Sequence, residues 1–169
     1  IGFGSGENIK WQLQNNDDIG FIGCEPYING VANLIDTLDE EQLKRIKIFN
    51  GDAKKIIPFF EKNTFEKVFI MFPDPWPKKK HHKRRIIQNT ILDEIAKKMT
   101  LNGELRISSD DYSYVCWIMH HILKNKNLVW KARTIMDIIN RPNNWPKTKY
   151  LEKAEKKNKN PYYFKLLKE

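Results

Sequence analysis

Asp74 stands between two prolines in FPDPWPKKKHHKRR (residues 72–85), two positions before Trp76 and just ahead of a stretch in which six of eight residues are Lys or Arg. Proline fixes its own φ and restricts the residue before it, so Pro73, Pro75 and Pro77 hold a carboxylate and an indole in set places. A fixed carboxylate accepts hydrogen bonds and balances positive charge. Lys78, Lys79, Lys80, Lys83, Arg84 and Arg85, with His81 and His82 among them, have the density that suits a polyanionic backbone. An isolated basic run is usually only a solvated face. This one follows the apolar run Val68, Phe69, Ile70, Met71, which reads as a buried strand that the first proline ends. Asp74 and Trp76 are thereby expected at a strand's carboxyl end, where open α/β sheets bind ligands. Trp76 either stacks on a base or covers the loop.

Three further strand ends, with a glycine turn ahead of them, carry candidate groups. Gly2, Gly4 and Gly6 in IGFGSG are spaced G-x-G-x-G, a turn that brings backbone close to a ligand, but shorter than the G-x-G-x-x-G dinucleotide fingerprint. Glu25 follows the apolar stretch 19–24, about twenty residues past the glycines, where an acid can accept from both ribose hydroxyls of a nucleoside. Its alternative role is an ordinary acid before a helix. Asp52 and Ala53 follow a third apolar stretch, 46–49, and Asp52 can cap the next helix or lie near a bound base. Asp110 and Asp111 end a fifth strand at 104–109. His120 and His121 have no acid or Cys at metal-ligand spacing and read as structural, so no metal is expected.

The elements that position these groups alternate. Strands are expected at 19–24, 46–49, 65–71, 104–109, 128–134 and 162–167. Helices are expected at 7–15, 29–36, from Asp52 to about Phe60, 86–99 (ended by Asn102 and Gly103) and 112–124. A glycine turn of this kind follows a strand, and Ile1 opens directly on it, so a first strand truncated upstream is expected. Residues 141–160 are polar, basic and without periodicity, and read as a loop in which Arg141, Lys147, Thr148 and Lys149 reach a substrate. The 169 residues suit one α/β domain, and 40% hydrophobic composition fills its core. Thirty Lys and Arg against twenty-one Asp and Glu leave a net charge of +9, which favours an anionic partner such as nucleic acid. Cys24 and Cys116 read as buried thiols of a reduced, cytoplasmic protein. No apolar run is long enough to span a membrane, and no secretory leader pattern is present in these residues.

On the glycine turn, Glu25, FPDPWPKKKHHKRR and the later RPNNWPKTKYLEKA, the chain resembles the tRNA (guanine-N7-)-methyltransferase family over essentially its whole length. That resemblance implies a Rossmann-like class I methyltransferase fold, a seven-stranded, mostly parallel sheet with helices on both faces and an antiparallel last strand. It implies S-adenosylmethionine as methyl donor and a guanine of the tRNA variable loop as acceptor. By position, Glu25 would hold the ribose, Asp52 and Ala53 the adenine side, and Gly2, Gly4 and Gly6 the rest of the cofactor. Asp74 would be the catalytic acid beside it, and Lys78, Asp110, Thr148, Lys149 and Glu152 would bind substrate. Lys79, Lys80, Lys83, Arg84, Arg85 and Arg141 would meet the tRNA backbone. The chain departs from the family pattern where Leu151 separates Tyr150 from Glu152. The competing readings are an NAD-binding Rossmann enzyme and a non-catalytic basic RNA-binding module, and the sequence leaves the oligomeric state open.

Overall fold

The computed structural model describes residues 1–169. In chain order it contains α1 (Glu7–Asn15), β1 (Phe21–Cys24), α2 (Ile28–Asp36), α3 (Glu40–Lys44) and β2 (Ile46–Phe49). After two 3₁₀ turns come β3 (Phe65–Met71), a third 3₁₀ turn (Lys79–Arg84), α4 (Asn89–Lys98), β4 (Met99–Ser109) and α5 (Tyr112–Lys124). The chain closes with β5 (Leu128–Trp130), α6 (Met136–Ile139), α7 (Lys149–Lys156) and β6 (Tyr162–Lys168).

Six strands form, as many as the sequence placed within these residues, but they divide into a parallel pair β1–β2 and a four-stranded sheet ordered β3-β4-β6-β5 rather than one continuous sheet. β3 and β4 are parallel, and β6 is antiparallel to both β4 and β5, so β6 alone runs against its sheet. The facing edges of β1 and β3 are not paired with each other. Only the first two residues reach them: the Ile1 ammonium donates to Phe69 O (2.8 Å) and Gly2 N–H to Cys24 O (2.7 Å). A cavity of about 770 Å³ separates the two edges, lined by Phe21, Ile22, Lys67, Phe69 and Ile95 among others.

The main core joins Val68 and Ile70 of β3 and Leu105 and Ile107 of β4 to Leu92 and Ile95 of α4 and Val115 and Ile118 of α5. Both helices present apolar residues at i, i+3 or i+4 spacing, the pattern that buries one face. β4 is covered on its other face too. There Arg106 and Ser108 are buried, and the Arg106 guanidinium lies over the rings of Phe69 (5.5 Å) and Trp145 (5.6 Å). Glu104 Oε2 receives Arg106 Nη2 at 2.7 Å, and these hydrogen bonds with Lys165 and Arg106 hold its carboxyl below the usual range against the opposing effect of burial.

Several sequence expectations are corrected. The helix expected after Asp52 is a pair of 3₁₀ turns, Ala53–Lys55 and Ile57–Phe59, because Pro58 cannot supply an internal helical N–H. Asn102 and Gly103 do not end a helix. They lie within β4, where Asn102 (φ 61°) sits in a register shift between the Phe65–Met99 and Lys67–Glu104 pairs. The strand expected over 128–134 stops at Trp130. The segment 141–160 is not a bare loop: Trp145 is 2% exposed, and Leu151 and Ala154 of α7 are buried, so a polar sequence contributes three apolar side chains to the interior. Cys24 is buried as expected, but Cys116 is exposed.

Candidate active site

The glycine turn earns its composition. Gly2, Gly4 and Gly6 have φ of 65°, 57° and 88°, in the left-handed region that residues with a Cβ enter at a cost. A Cβ on Gly6 would stand 2.5 Å from the Leu34 side chain, and one on Gly4 would stand 2.9 Å from the Tyr150 ring. Gly30 of α2 lets the turn pack down, since a Cβ there would meet Gly4 O at 2.4 Å.

Glu25, at the end of β1, ties the turn to the next helix. Its Oε2 accepts from Gly4 N–H (2.8 Å) and its Oε1 from Tyr27 N–H (2.9 Å), while Asn50 Nδ2 donates to the Glu25 carbonyl (2.8 Å). The residue is 7% exposed, more enclosed than a strand-end acid facing solvent. Asp52 caps the first 3₁₀ turn by accepting from Lys54 N–H (3.0 Å), and Ala53 behind it is buried.

At the end of β3 the backbone is strained twice. Phe72 (φ 50°) and Trp76 (φ 43°) are bulky residues in the left-handed region, each directly before a proline, and they bracket Asp74. Such conformations cost about 1–3 kcal/mol each and persist only where the surroundings impose them. Here the support is Phe72 N–H donating to Ser108 O (2.9 Å) and Arg85 Nε donating to Pro75 O (2.8 Å). Arg85 is 1% exposed, its guanidinium between the Tyr114 (5.0 Å) and Trp117 (4.8 Å) rings of α5. Burial lowers its pKa and pushes the Tyr114 hydroxyl up to about 12. Arg85 is therefore an anchor of the Asp74 loop, and the expectation that it meets a nucleic-acid backbone is corrected: a desolvated guanidinium inside an aromatic pair does not face solvent phosphate.

The other Lys and Arg residues of the run differ from Arg85. Lys78, Lys79, Lys80, Lys83 and Arg84 are exposed around the 3₁₀ turn, and Arg84 covers Trp76 at 4.8 Å, which makes that indole part of the cationic face. Asp74 is exposed beside it.

A family model described as "Putative methyltransferase" matches residues 1–164. The proteins named tRNA (guanine-N(7)-)-methyltransferase from Zymomonas mobilis and Wolbachia pipientis are each 38% identical to this chain, over 98% of its length and 71% and 72% of theirs. The chain belongs to the tRNA (guanine-N(7)-)-methyltransferase family. Solved structures add the fold. A SAM-dependent O-methyltransferase from Thermotoga maritima superposes with a TM-score of 0.62 at 13% identity, over 99% of this chain and 57% of that one. An rRNA methylase from Streptococcus thermophilus gives 0.62 at 10% identity, over 98% and 82%. The Rossmann-like class I methyltransferase architecture is common to them.

Within this family member, the residues around the glycine turn fit an adenosyl group. Each Glu25 oxygen accepts one backbone bond and keeps a second lone pair for a ribose hydroxyl. The direction a Cβ of Gly2 would take is open space to 4 Å. The cavity between the strands is also lined by Gly2, Glu7, Phe72, Thr148 and Tyr150.

The positions expected to bind substrate separate into two groups. Lys149 pairs with Glu7 (3.6 Å) beside the glycine turn, and Tyr150 sits over Gly4. Thr148 is 5% exposed and caps α7 by accepting from Leu151 N–H (3.3 Å). Glu152 is exposed on the first turn of α7, and the intervening Leu151 is spent on the core. Asp110 pairs with Lys159 (3.5 Å), while Asp111 caps α5. Arg141 donates to the Trp145 carbonyl and closes its own loop. Sequence reasoning does not single out Phe72 and Tyr150, which line the cavity beside the glycine turn, although an aromatic before a proline at a strand end is a readable sign of a constrained side chain.

Proposed function

We propose that this chain, acting as a single methyltransferase domain in the cytoplasm, transfers a methyl group from S-adenosylmethionine to N7 of a guanine in the tRNA variable loop. The observation that carries the reading is the placement of Asp74. It stands on a doubly strained, arginine-anchored loop beside an exposed cationic face, and it acts together with Glu25 on the hydroxyl of Tyr150, whose ring rests on Gly4. Membership of a family whose named relatives are tRNA (guanine-N(7)-)-methyltransferases supports the choice of substrate.

When bound, S-adenosylmethionine supplies a methyl on a sulfonium, an electrophile that the guanine N7 lone pair attacks directly while the C–S pair stays on sulfur. N7 carries no proton, so no general base is required and alignment is the task of the protein. Holding reacting atoms about 3 Å apart and in line removes several kcal/mol of entropic cost. Glu25 would take the ribose hydroxyls, the turn from Gly2 to Gly6 would lie along the cofactor, and Asp52 with Ala53 would border the adenine. Asp74 accepts from the guanine N1–H and N2–H groups and balances the positive charge that develops on the purine. Lys78, Lys79, Lys80, Lys83 and Arg84 hold phosphates and set the register of the RNA.

Asp74→Asn tests the reading. The amide keeps size but turns one acceptor into a donor facing the guanine N–H groups. Single-turnover methylation of tRNA, with the modified base mapped, should slow by about a hundredfold while tRNA affinity changes little. A full rate in the variant would remove Asp74 from the chemistry, and modification at another atom would remove the N7 assignment.

A further inference from the structure

Phe72 and Tyr150 come from opposite ends of the chain and present nearly parallel rings, 12° apart in tilt with centroids 6.5 Å apart. Aromatic pairs in direct contact span about 4.5–7 Å between centroids, so this pair is at the far end of that range. Two rings with a flat base between them stand roughly 6.8 Å apart, since stacked bases lie about 3.4 Å apart, so rings that are already parallel admit a base by a shift of their separation alone. Neither ring is placed by core packing alone. Phe72 is half-buried on a left-handed backbone, and Tyr150, 45% exposed, rests on the bare Cα of Gly4.

The surroundings select for a cation. Glu25, Asp74 and Glu7 all act on the Tyr150 hydroxyl, and with burial as the larger cause they push its pKa up. One ring already holds a cation in this structure, the Lys153 ammonium at 5.4 Å from the Tyr150 centroid. A ring face attracts positive charge through its quadrupole, and a planar delocalised cation between two rings gains from both.

We infer that Phe72 and Tyr150 form a two-ring clamp for the target purine, which grips the base more tightly as it becomes a cation on N7 methylation. The inference rests on the methyl-transfer reading for the identity of the base. The clamp stabilises the transition state because the charge passes from the sulfonium to the purine as the N7–C bond forms and the C–S bond breaks. Its side effect is a preference for product base over substrate base, which can be measured without turnover.

The probes are 7-methylguanosine 5′-monophosphate and guanosine 5′-monophosphate, titrated calorimetrically into the whole chain and into Phe72→Leu, Tyr150→Leu and Tyr150→Phe, each first confirmed folded by its melting transition. The wild-type chain should bind the methylated nucleotide about tenfold more tightly. Both leucine variants should lose that preference, and Tyr150→Phe, which keeps the ring, should retain it. Equal affinities in the wild-type chain, or a preference unchanged in Tyr150→Leu, would overturn the clamp. Methylation of tRNA by the wild-type chain is scored separately. If the nucleotide preference follows the rings but tRNA N7 is not methylated, the clamp stands and the methyl-transfer reading falls; if tRNA N7 is methylated and the preference is absent, the reverse holds.

Discussion

Replacing Arg85 with Met separates two roles that a basic run permits. The guanidinium is 1% exposed, donates to Pro75 O at 2.8 Å and lies 5.0 and 4.8 Å from the Tyr114 and Trp117 rings. A hydrogen bond from a charged donor contributes about 1.5–3 kcal/mol and each desolvated cation–π contact about 1–2 kcal/mol. Against them stands a charge taken out of water, an effective cost of several kcal/mol that the apolar Met removes. The net loss is about 2–3 kcal/mol, which for a chain of this size lowers the melting temperature by roughly 5–10 °C. Arg85→Lys should recover little of it, because a point charge cannot lie flat between two rings and keep the Pro75 bond. The freed loop misplaces Asp74, and a displacement of about 1 Å costs up to a hundredfold in rate. Affinity for tRNA at several salt concentrations and calorimetric melting give the assay. An unchanged melting temperature together with a salt slope lowered by about one unit would show that Arg85 contacts a phosphate, and would refute the anchor.

The exposed members of the run should behave in the opposite way. Lys79, Lys83 and Arg84 changed together to Ala should leave melting unchanged and reduce the slope of log K against log salt by about two to three units, read from filter-binding titrations. Gly30→Ala, on a helix outside the glycine turn, drives a Cβ to within 2.4 Å of Gly4 O and should weaken S-adenosylmethionine binding about tenfold by calorimetry; Gly20→Ala, whose nearest neighbour is 3.9 Å away, should not. Burial, with His120 and Lys124 adding to it, holds the His121 pKa below its usual 6.5. The unfolded chain therefore binds more protons, so this contribution to stability is complete above about pH 6.5 and is lost as pH falls through it. Melting temperatures at pH 8 and pH 5.5 should differ less in His121→Gln than in the wild-type chain.

What was legible in the sequence follows from how local each signal is. β3 and α5 were read with the observed bounds because a short apolar run and a 3.6-residue period are properties of the segment itself. Asn102 and Gly103 misled because a helix end and a strand bulge both use a left-handed residue, and only the partner strand decides between them. α7 was missed although its signs were present: Thr148 as an N-cap, then Leu151 and Ala154 three apart, were overshadowed by the lysines around them. The site shows the same division. Gly4, Glu25 and Asp74 stand out from spacing and strand ends, but the enclosure of Glu25 by Gly4 and Tyr27 N–H groups does not, so its removal also orphans two backbone donors. Arg85 was indistinguishable from its basic neighbours until Tyr114 and Trp117, on a later helix, closed over it.

The buried apolar residues fall into two clusters. Ile9, Leu13, Leu34, Leu38 and Ile46 form a small buried cluster of their own, apart from the nineteen-residue cluster around β3 and β4. A unit with so little apolar burial opens at a lower free energy than the global one, so amide protons of β1 and β2 should exchange with solvent earlier than those of β4. The cradle straddles this boundary, with the glycine turn and Glu25 on one side and Asp74 and Phe72 on the other. A molecule that grips both sides acts as a staple between two clusters of unequal stability, and its arrival is registered as slower exchange throughout the smaller one, beyond the atoms it touches.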